Sequence, residues 1–405
     1  MRWPRGRMAV RVLAAGLAGL VAAAGLAACT PAPSGPPVAV LFPGAADDDW
    51  GASAEVLRRE LADDGYAVEV RFAGDDIPRQ LEQLREVLAA QPAAVVIAPV
   101  DATAIAAVLT PDAAGEVSVI AYDELILDTD QVDYFATFDH RAAGRLQAQA
   151  LVDGLGLADD PDAGPFAVEL LAGSGDDRGA QDAFAGAMEV LQPYLDAGRL
   201  TVPSGRTDLE QAAILRGSPA TAADRVAELL AADVPLAGVL SPSDAMSGAV
   251  AEVLAAAGVE VVAPGARWSA APLPPEGEPS ATPTPPGATA PPPDATTPPH
   301  TDAAPDSAAD AAHDRAAPAS VVLTGGGSTL DGVRAVRNGA QTATVYEDPR
   351  ELARAVASMV REVVEGAAPT VTQGATTDNG VRAVPTLLRE PQLVATVEEA
   401  RRVLG

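Results

Sequence analysis

Short apolar runs alternate with amphipathic stretches along most of this chain. Val38-Ala39-Val40-Leu41-Phe42 is continuously apolar and is broken by Pro43 and Gly44, the pattern of a strand buried on both faces of a parallel sheet. From Ser53 to Asp64, Val56, Leu57 and Leu61 recur at helical spacing among Glu and Arg, and Gly65 suits the residue just past the helix end. Tyr66 to Phe72 alternates as a strand. Ile77 to Ala90 carries Leu81, Leu84 and Leu88 on one helical stripe. Ala93 to Ala98 reads as a strand, Ala102 to Leu109 as a helix, and Val117 to Tyr122 as a strand. The rhythm continues with Phe166 to Leu171 before Gln181 to Leu195, and Gly238 to Leu240 before Ala245 to Ala257. It ends with Val321 to Leu323 before Asp331 to Asn338. Strands alternating with helices predict βαβ units, an α/β chain built on parallel sheets.

In such sheets ligands bind beyond the carboxyl ends of the strands. Those positions are polar here: Asp47-Asp48-Asp49-Trp50, Pro99-Val100-Asp101, Tyr122-Asp123-Glu124, Phe138-Asp139-His140, Gly175-Asp176-Asp177-Arg178 and Ser241-Pro242-Ser243-Asp244. Their convergence is the main pointer to a site. Each residue also has a structural alternative. Trp50 could be a packed loop aromatic, and Asp47 to Asp49 a solvated run or a cap cluster. Asp123 could be a hinge or cap, Asp176 and Asp177 could cap the helix starting near Gln181, and Asp244 could cap the next one. His140 could be a satisfied structural histidine.

Composition narrows the chemistry. The chain has 405 residues and a net charge of −29, from 56 acids against 27 bases. Every base is Arg, which excludes a P-loop lysine and a Schiff-base lysine. Strong acidity argues against a nucleic-acid partner. One Cys and three scattered His predict no disulfide and no metal site, and no cofactor is expected. The run Gly325-Gly326-Gly327 lacks the Lys-Ser/Thr of a phosphate loop. GxSxG and HExxH are both absent, so an enzyme is not expected.

Two segments stand apart. Arg2, Arg5, Arg7 and Arg11 precede an uncharged apolar run from Val12 to Ala28 that ends in small residues. The run is about 17 residues, short for a spanning helix, and reads as an export signal. From Pro272 to Pro318, 14 of 47 residues are Pro and the rest mostly Ala, Thr, Asp and Ser. That segment cannot bury enough apolar area to offset its ordering entropy, which predicts a disordered insert.

The stretches GDDIPRQLEQL (74–84), VVIAPVDATA (95–104), VIAYDELI (119–126), YFATFDHRAAGRLQAQALVDGLGL (134–157), GPFAVELLAGSGDD (164–177), RGSPATAADR (216–225), LSPSDAMS (240–247), VYEDPRELA (345–353) and NGVRAVPTLL (379–388) occur in this order. Together they resemble the type I periplasmic sugar-binding proteins of bacterial ABC transporters, nearest to the multiple-sugar and xylose-binding branch. Leu26-Ala27-Ala28-Cys29 resembles the lipobox of bacterial lipoproteins. The resemblance implies residues 1–29 as signal peptide, cleaved so that Cys29 is acylated, and 30–37 as tether. It implies two Rossmann-like lobes joined by three hinge crossings, with a sugar held in the cleft between them. The N-lobe would be 38–135 plus 328–368. The C-lobe would be 136–271, 319–327 and 369–405, interrupted by the insert at 272–318. It also implies a monomer, lipid-anchored at the outer face of the cell membrane, that serves an ABC permease and ATPase complex.

The same resemblance nominates Asp49, Trp50, Asp123, Glu124, His140, Asp177, Arg178, Arg216 and Asp244 as ligand-binding. Several depart from the family pattern. Asp49 stands where the family has Arg before the Trp, Glu124 where Arg follows the Asp, and His140 where Asn follows Phe-Asp. Arg178 and Gly179 replace an Asn pair, Ser243 precedes Asp244 where Tyr or Asn is common, and Gly325-Gly326-Gly327 replaces Gly-Gln-Asp. The set has shifted toward acceptors. That shift points to an amino sugar or other cationic solute, or to a surface sensory or accessory lipoprotein whose sugar site is altered or lost.

Overall fold

A computed structural model of the protein describes residues 35–46, 49–268 and 320–405. The lipobox Cys29, the tether to residue 34 and the Pro-rich insert lie outside the described residues. In chain order the first strands are β1 (Pro37–Phe42), β2 (Ala67–Phe72), β3 (Ala94–Ile97), β4 (Ser118–Tyr122), β5 (Tyr134–Phe138), β6 (Phe166–Leu170) and β7 (Leu200–Thr201). Then come β8 (Leu236–Leu240), β9 (Glu260–Val261), β10 (Ser320–Gly327), β11 (Ala343–Tyr346), β12 (Thr376–Asp378), β13 (Ala383–Arg389) and β14 (Gln392–Val394). The helices used below are α1 (Asp49–Asp63), α2 (Ile77–Ala89), α3 (Pro111–Ala114), α4 (His140–Gly154), α5 (Arg178–Asp196), α6 (Leu209–Ala212), α7 (Pro219–Ala231), α8 (Asp244–Ala256), α9 (Leu330–Asn338), α10 (Pro349–Val364) and α11 (Val397–Leu404).

The chain forms two compact units, and it passes between them after Thr137, Pro349 and Leu387. The first unit's sheet has the order β12-β13-β5-β4-β3-β1-β2, and β1 pairs in parallel with both β2 and β3. The second unit's sheet runs β14-β11-β10-β8-β6-β7, with β9 paired beside β10. These boundaries correct the lobes expected from the sequence. Residues 328–349 belong to the second unit, because β11 lies in parallel beside β10 and carries α9 with it. Residues 369–387 belong to the first, because β12 pairs with β13 on that unit's sheet.

The apolar runs act as the pattern predicts. All four residues of β3 and all five of β8 are buried, as parallel strands covered on both faces must be. One face of the second sheet packs Val168 and Leu170 against Leu151 of α4 and Phe184 of α5. The other packs Val239 and Leu323 against Val226 of α7 and Val250 of α8. Helix α2 starts where Asp76 accepts a hydrogen bond from the Arg79 amide (2.8 Å), and it buries Gln80, Leu84, Val87 and Leu88. Just past the end of α1, Gly65 has a φ of 90°, which lets Tyr66 N donate back to Leu61 O (3.0 Å).

Three element readings change. The helix expected at Ala102 to Leu109 is a 3₁₀ turn over Ala104–Ala107, followed by α3. Thr110 caps α3, accepting from Ala113 N, and Pro111 sets its start, so two short pieces replace one helix. Helix α1 begins at Asp49, ahead of the start expected at Ser53, so Trp50 sits in its first turn instead of a loop. Strand β10 runs through Gly325, Gly326 and Gly327 instead of ending before them.

Candidate ligand site

In the first unit, Trp50 and Asp123 share an aromatic platform. Phe42, the last residue of β1, stacks on Trp50 with ring centroids 5.3 Å apart. Tyr122, the last residue of β4, meets Phe42 edge-on at 5.4 Å and Trp50 at 6.3 Å. The Tyr122 hydroxyl donates to Ser53 Oγ of α1 (3.0 Å), which fixes the ring buried beneath the helix. Asp123 and Glu124 follow Tyr122 directly. Asp123 adopts φ 66°, and its amide donates to Ala136 O (2.7 Å) while its carbonyl accepts from Thr137 Oγ1 (2.9 Å). A left-handed conformation at a non-glycine residue marks a strand end held by its surroundings rather than by its own preference. Glu124 is exposed. The Asp49 side chain and Asp47 and Asp48 lie outside the described residues.

In the second unit, His140 opens α4, and Asp139 caps that helix by accepting from Ala142 N (2.8 Å). The His140 Nδ1 lies 3.1 Å from Glu347 Oε1, and both side chains are largely buried. A Cβ on Gly179 would lie 3.1 Å from His140 Cδ2 and 3.2 Å from Asp177 Oδ1, so His140 and Asp177 meet across a glycine. Asp177 itself caps α5, accepting from Ala180 N (3.2 Å), as its structural alternative requires. Arg178 is exposed on the first turn of that helix. Arg216 has φ 55°, and its amide donates to Ser174 Oγ (3.0 Å). The Ser174 hydroxyl donates to Asp176 Oδ1 (2.5 Å), which holds that exposed carboxyl below the usual carboxylate range.

Asp244 is not the helix cap that its position in the sequence allows. Ser243 caps α8, accepting from Met246 N, and Asp244 turns inward. Its Oδ1 accepts from Gln341 Nε2 (2.9 Å) and from Thr344 Oγ1 (2.7 Å). Burial pushes the Asp244 carboxyl above its ordinary range, against the lowering effect of those two bonds. Asp331 and Glu347 add negative charge in the same direction. Glycines make the room. A Cβ at Gly325 would lie 2.0 Å from Gln341 Nε2 and 2.5 Å from Asp244 Oδ1, and one at Gly332 would lie 2.1 Å from Asp244 Cγ.

Sequence reasoning missed Glu347, Gln341, Thr344 and Ser174. The first three reach His140 and Asp244 from 207, 97 and 100 residues away, and no local pattern carries that information. Ser174 could have been found, since it precedes Gly175-Asp176-Asp177 in a turn-forming run.

The periplasmic binding protein domain matches residues 38–265. The chain is 33% identical over 360 residues to the multiple sugar-binding periplasmic receptor ChvE of Rhizobium radiobacter, covering 88% of this chain and 86% of that one. This chain belongs to the periplasmic binding protein family. A second relative of the binding protein, the multiple sugar-binding periplasmic protein SbpA of Azospirillum brasilense, is 33% identical over 88% of this chain and 85% of its own. Among solved structures, an ABC transporter solute-binding protein from Clostridium phytofermentans with bound β-D-glucose aligns with a TM-score of 0.67. It is 26% identical, over 91% of this chain and 96% of that one.

Proposed function

We propose that this binding protein captures a sugar or amino sugar outside the cell membrane and delivers it to an ABC permease and its ATPase. The observation that carries the reading is family membership, with 88% of the chain aligned to each of two multiple sugar-binding periplasmic proteins. The residues suit the task. Trp50, backed by the buried rings of Phe42 and Tyr122, is the aromatic that could cover the apolar face of a sugar ring. Asp123, Glu124, Asp177 and Asp244 supply acceptors, Arg178 and Arg216 supply donors, and His140 can do either. Acceptors outnumber donors, and Glu347 adds one more beside His140. An ammonium-bearing sugar fits that balance better than a neutral one. In this reading the protein works as a monomer, with no cofactor. Cys29 carries a lipid anchor that holds it at the outer face of the cell membrane.

The test is a thermal-shift and calorimetric panel of D-glucose, D-xylose, L-arabinose and D-glucosamine. A true ligand at 100 times its dissociation constant adds about 2.7 kcal/mol of stability. Micromolar binding of the neutral sugars would overturn the amino-sugar reading. No shift from any sugar would overturn the transport reading. A surface sensory or accessory lipoprotein would then remain, a role favoured by the engagement of Asp244 Oδ1 with Gln341 and Thr344. Cys29→Ala should move the protein from the membrane to the soluble fraction, and retention in the membrane would refute the anchor.

A further inference from the structure

Three carboxylates stand around His140 in the second unit, and two of them are spent on helix starts. Asp139 caps α4 by accepting from Ala142 N (2.8 Å). Asp177, which His140 meets across Gly179, caps α5 by accepting from Ala180 N (3.2 Å). The third, Glu347, directs Oε1 at the ring, 3.1 Å from Nδ1. The neighbouring cation Arg141 is engaged elsewhere, donating from Nε to Glu189 Oε1 (2.7 Å). Glu347 is fixed at its main chain. It follows β11 directly, and its amide donates to Gly327 O (3.0 Å) at the end of β10. With 26% and 16% of their side chains exposed, His140 and Glu347 form a covered pair, not a solvated one whose geometry averages away. The Cδ2–Nε2 edge of the ring lies over Gly179, where a Cβ would come within 3.1 Å of Cδ2 and 3.2 Å of Nε2.

An ionised carboxylate has only lone pairs to offer, so the proton in the bond between Nδ1 and Oε1 belongs to the histidine. A neutral imidazole carries one N–H, and the bond made by one nitrogen sets the state of the other. With Nδ1 protonated, the neutral ring keeps a lone pair on Nε2. The place of His140 in the first turn of α4 works the same way, because the positive end of a helix disfavours a second proton on the ring. We infer that Glu347 is a positioning residue for His140: it takes the Nδ1 proton, fixes the tautomer of the ring, and makes Nε2 an acceptor for a hydroxyl or ammonium group of the ligand. The ligand half of this inference rests on the proposed sugar site. The tautomer half does not.

Nitrogen NMR of the histidine rings tests it on the full chain. The chain has three His, and the other two, His300 and His313, fall within 272–318, so the His140 signals are those lost in His140→Gln. Above the ring's titration, wild type should show a protonated Nδ1 and an unprotonated Nε2. The opposite tautomer, or an even mixture, overturns the inference whether or not any sugar binds, and this spectrum needs no variant of Glu347 to fold. Glu347→Gln keeps an oxygen for the Nδ1 proton and should keep the tautomer, whereas Glu347→Leu removes the acceptor and should move the proton toward Nε2. An unchanged spectrum in Glu347→Leu means that another group sets the tautomer and overturns the role of Glu347. Affinity for D-glucose and D-glucosamine is then compared. Glu347→Leu should weaken the tighter of the two by about tenfold, Glu347→Gln should restore most of that loss, and the loss should vanish in the His140→Gln background. A loss that persists there means Glu347 acts by another route and overturns the coupling. If the tautomer follows Glu347 while His140→Gln leaves affinity unchanged, the positioning stands and the assignment of His140 to the ligand site fails.

Discussion

Asp244 and Thr344 lie 100 residues apart in sequence, and the threonine hydroxyl donates to the Asp244 Oδ1 across 2.7 Å. The bond joins the first turn of α8 to strand β11, so the acid is held by its own unit before any ligand arrives.

The space around this acid is set by glycine. Gly325→Ala would drive a methyl into Gln341 and Asp244, and Gly332→Ala would drive one into the Asp244 carboxyl. Each should cost roughly 1–3 kcal/mol by forcing the buried side chains apart. Urea unfolding measures it. A midpoint equal to wild type for both variants would show that the network relaxes freely.

The charge of Asp244 sets a pH dependence. Its folded-state pKa lies above the ordinary 3.8, so the native state binds a proton more readily than the unfolded chain. The penalty for ionising it is absent at low pH, and it grows as pH rises from near 3.8 through the raised folded value. Asp244→Asn keeps an oxygen for Gln341 and Thr344 and removes the charge. The variant should therefore gain stability on wild type as pH rises through that window, with a constant difference above it. A difference that shrinks with rising pH would contradict this sign.

Trp50 should report ligand. The other described tryptophan, Trp268, donates from Nε1 to Ser320 O (2.8 Å) and meets Phe166 edge-on at 5.1 Å, inside the second unit. Trp50→Phe should abolish any sugar-dependent change in tryptophan fluorescence and cost about 0.5–1.5 kcal/mol of aromatic contact. A sugar-dependent signal surviving in Trp50→Phe would place the reporter elsewhere.

Asn379 ties the β12–β13 turn to the loop after β4. Its Nδ2 donates to Ile126 O (3.2 Å) and Thr129 O (2.7 Å), and its Oδ1 accepts from Val381 N (3.1 Å) and Arg382 N (3.0 Å). The residue is fully buried. Asn379→Ala strands four backbone groups and should cost roughly 2–4 kcal/mol. Thermal unfolding checks it, and a loss below about 0.5 kcal/mol, the range of ordinary surface changes, would show that water replaces the side chain.

Much of the fold was legible because a buried parallel strand declares itself in a few adjacent residues. Val38 to Phe42 and Ala94 to Ile97 needed no partner to be read. Trp50, Asp123 and Asp244 could be nominated because they follow such runs. What each does could not be read. Asp177 caps a helix, Asp244 does not, and both follow strands in similar polar runs. The deciding partners, Ala180 N in one case and Thr344 Oγ1 in the other, are local for the first and remote for the second. The unit boundaries escaped for the same reason. Nothing around Gly327 signals that β11 will pair beside β10, since that pairing is set by the sheet and not by the strand's own sequence.

The interleaving of the two units has a consequence for synthesis. Strands β12 and β13 complete the first sheet, yet they follow nearly all of the second unit in the chain. The opening strands therefore leave the ribosome with one flank of their sheet unmade, and they wait until residues near 389 appear before the last ladder can close. Pairing over that separation is slow, because the intervening loop must be closed before its contacts contribute. The nascent chain thus stays incompletely folded until late in its own production, the condition under which a polypeptide can still be threaded unfolded through a narrow channel.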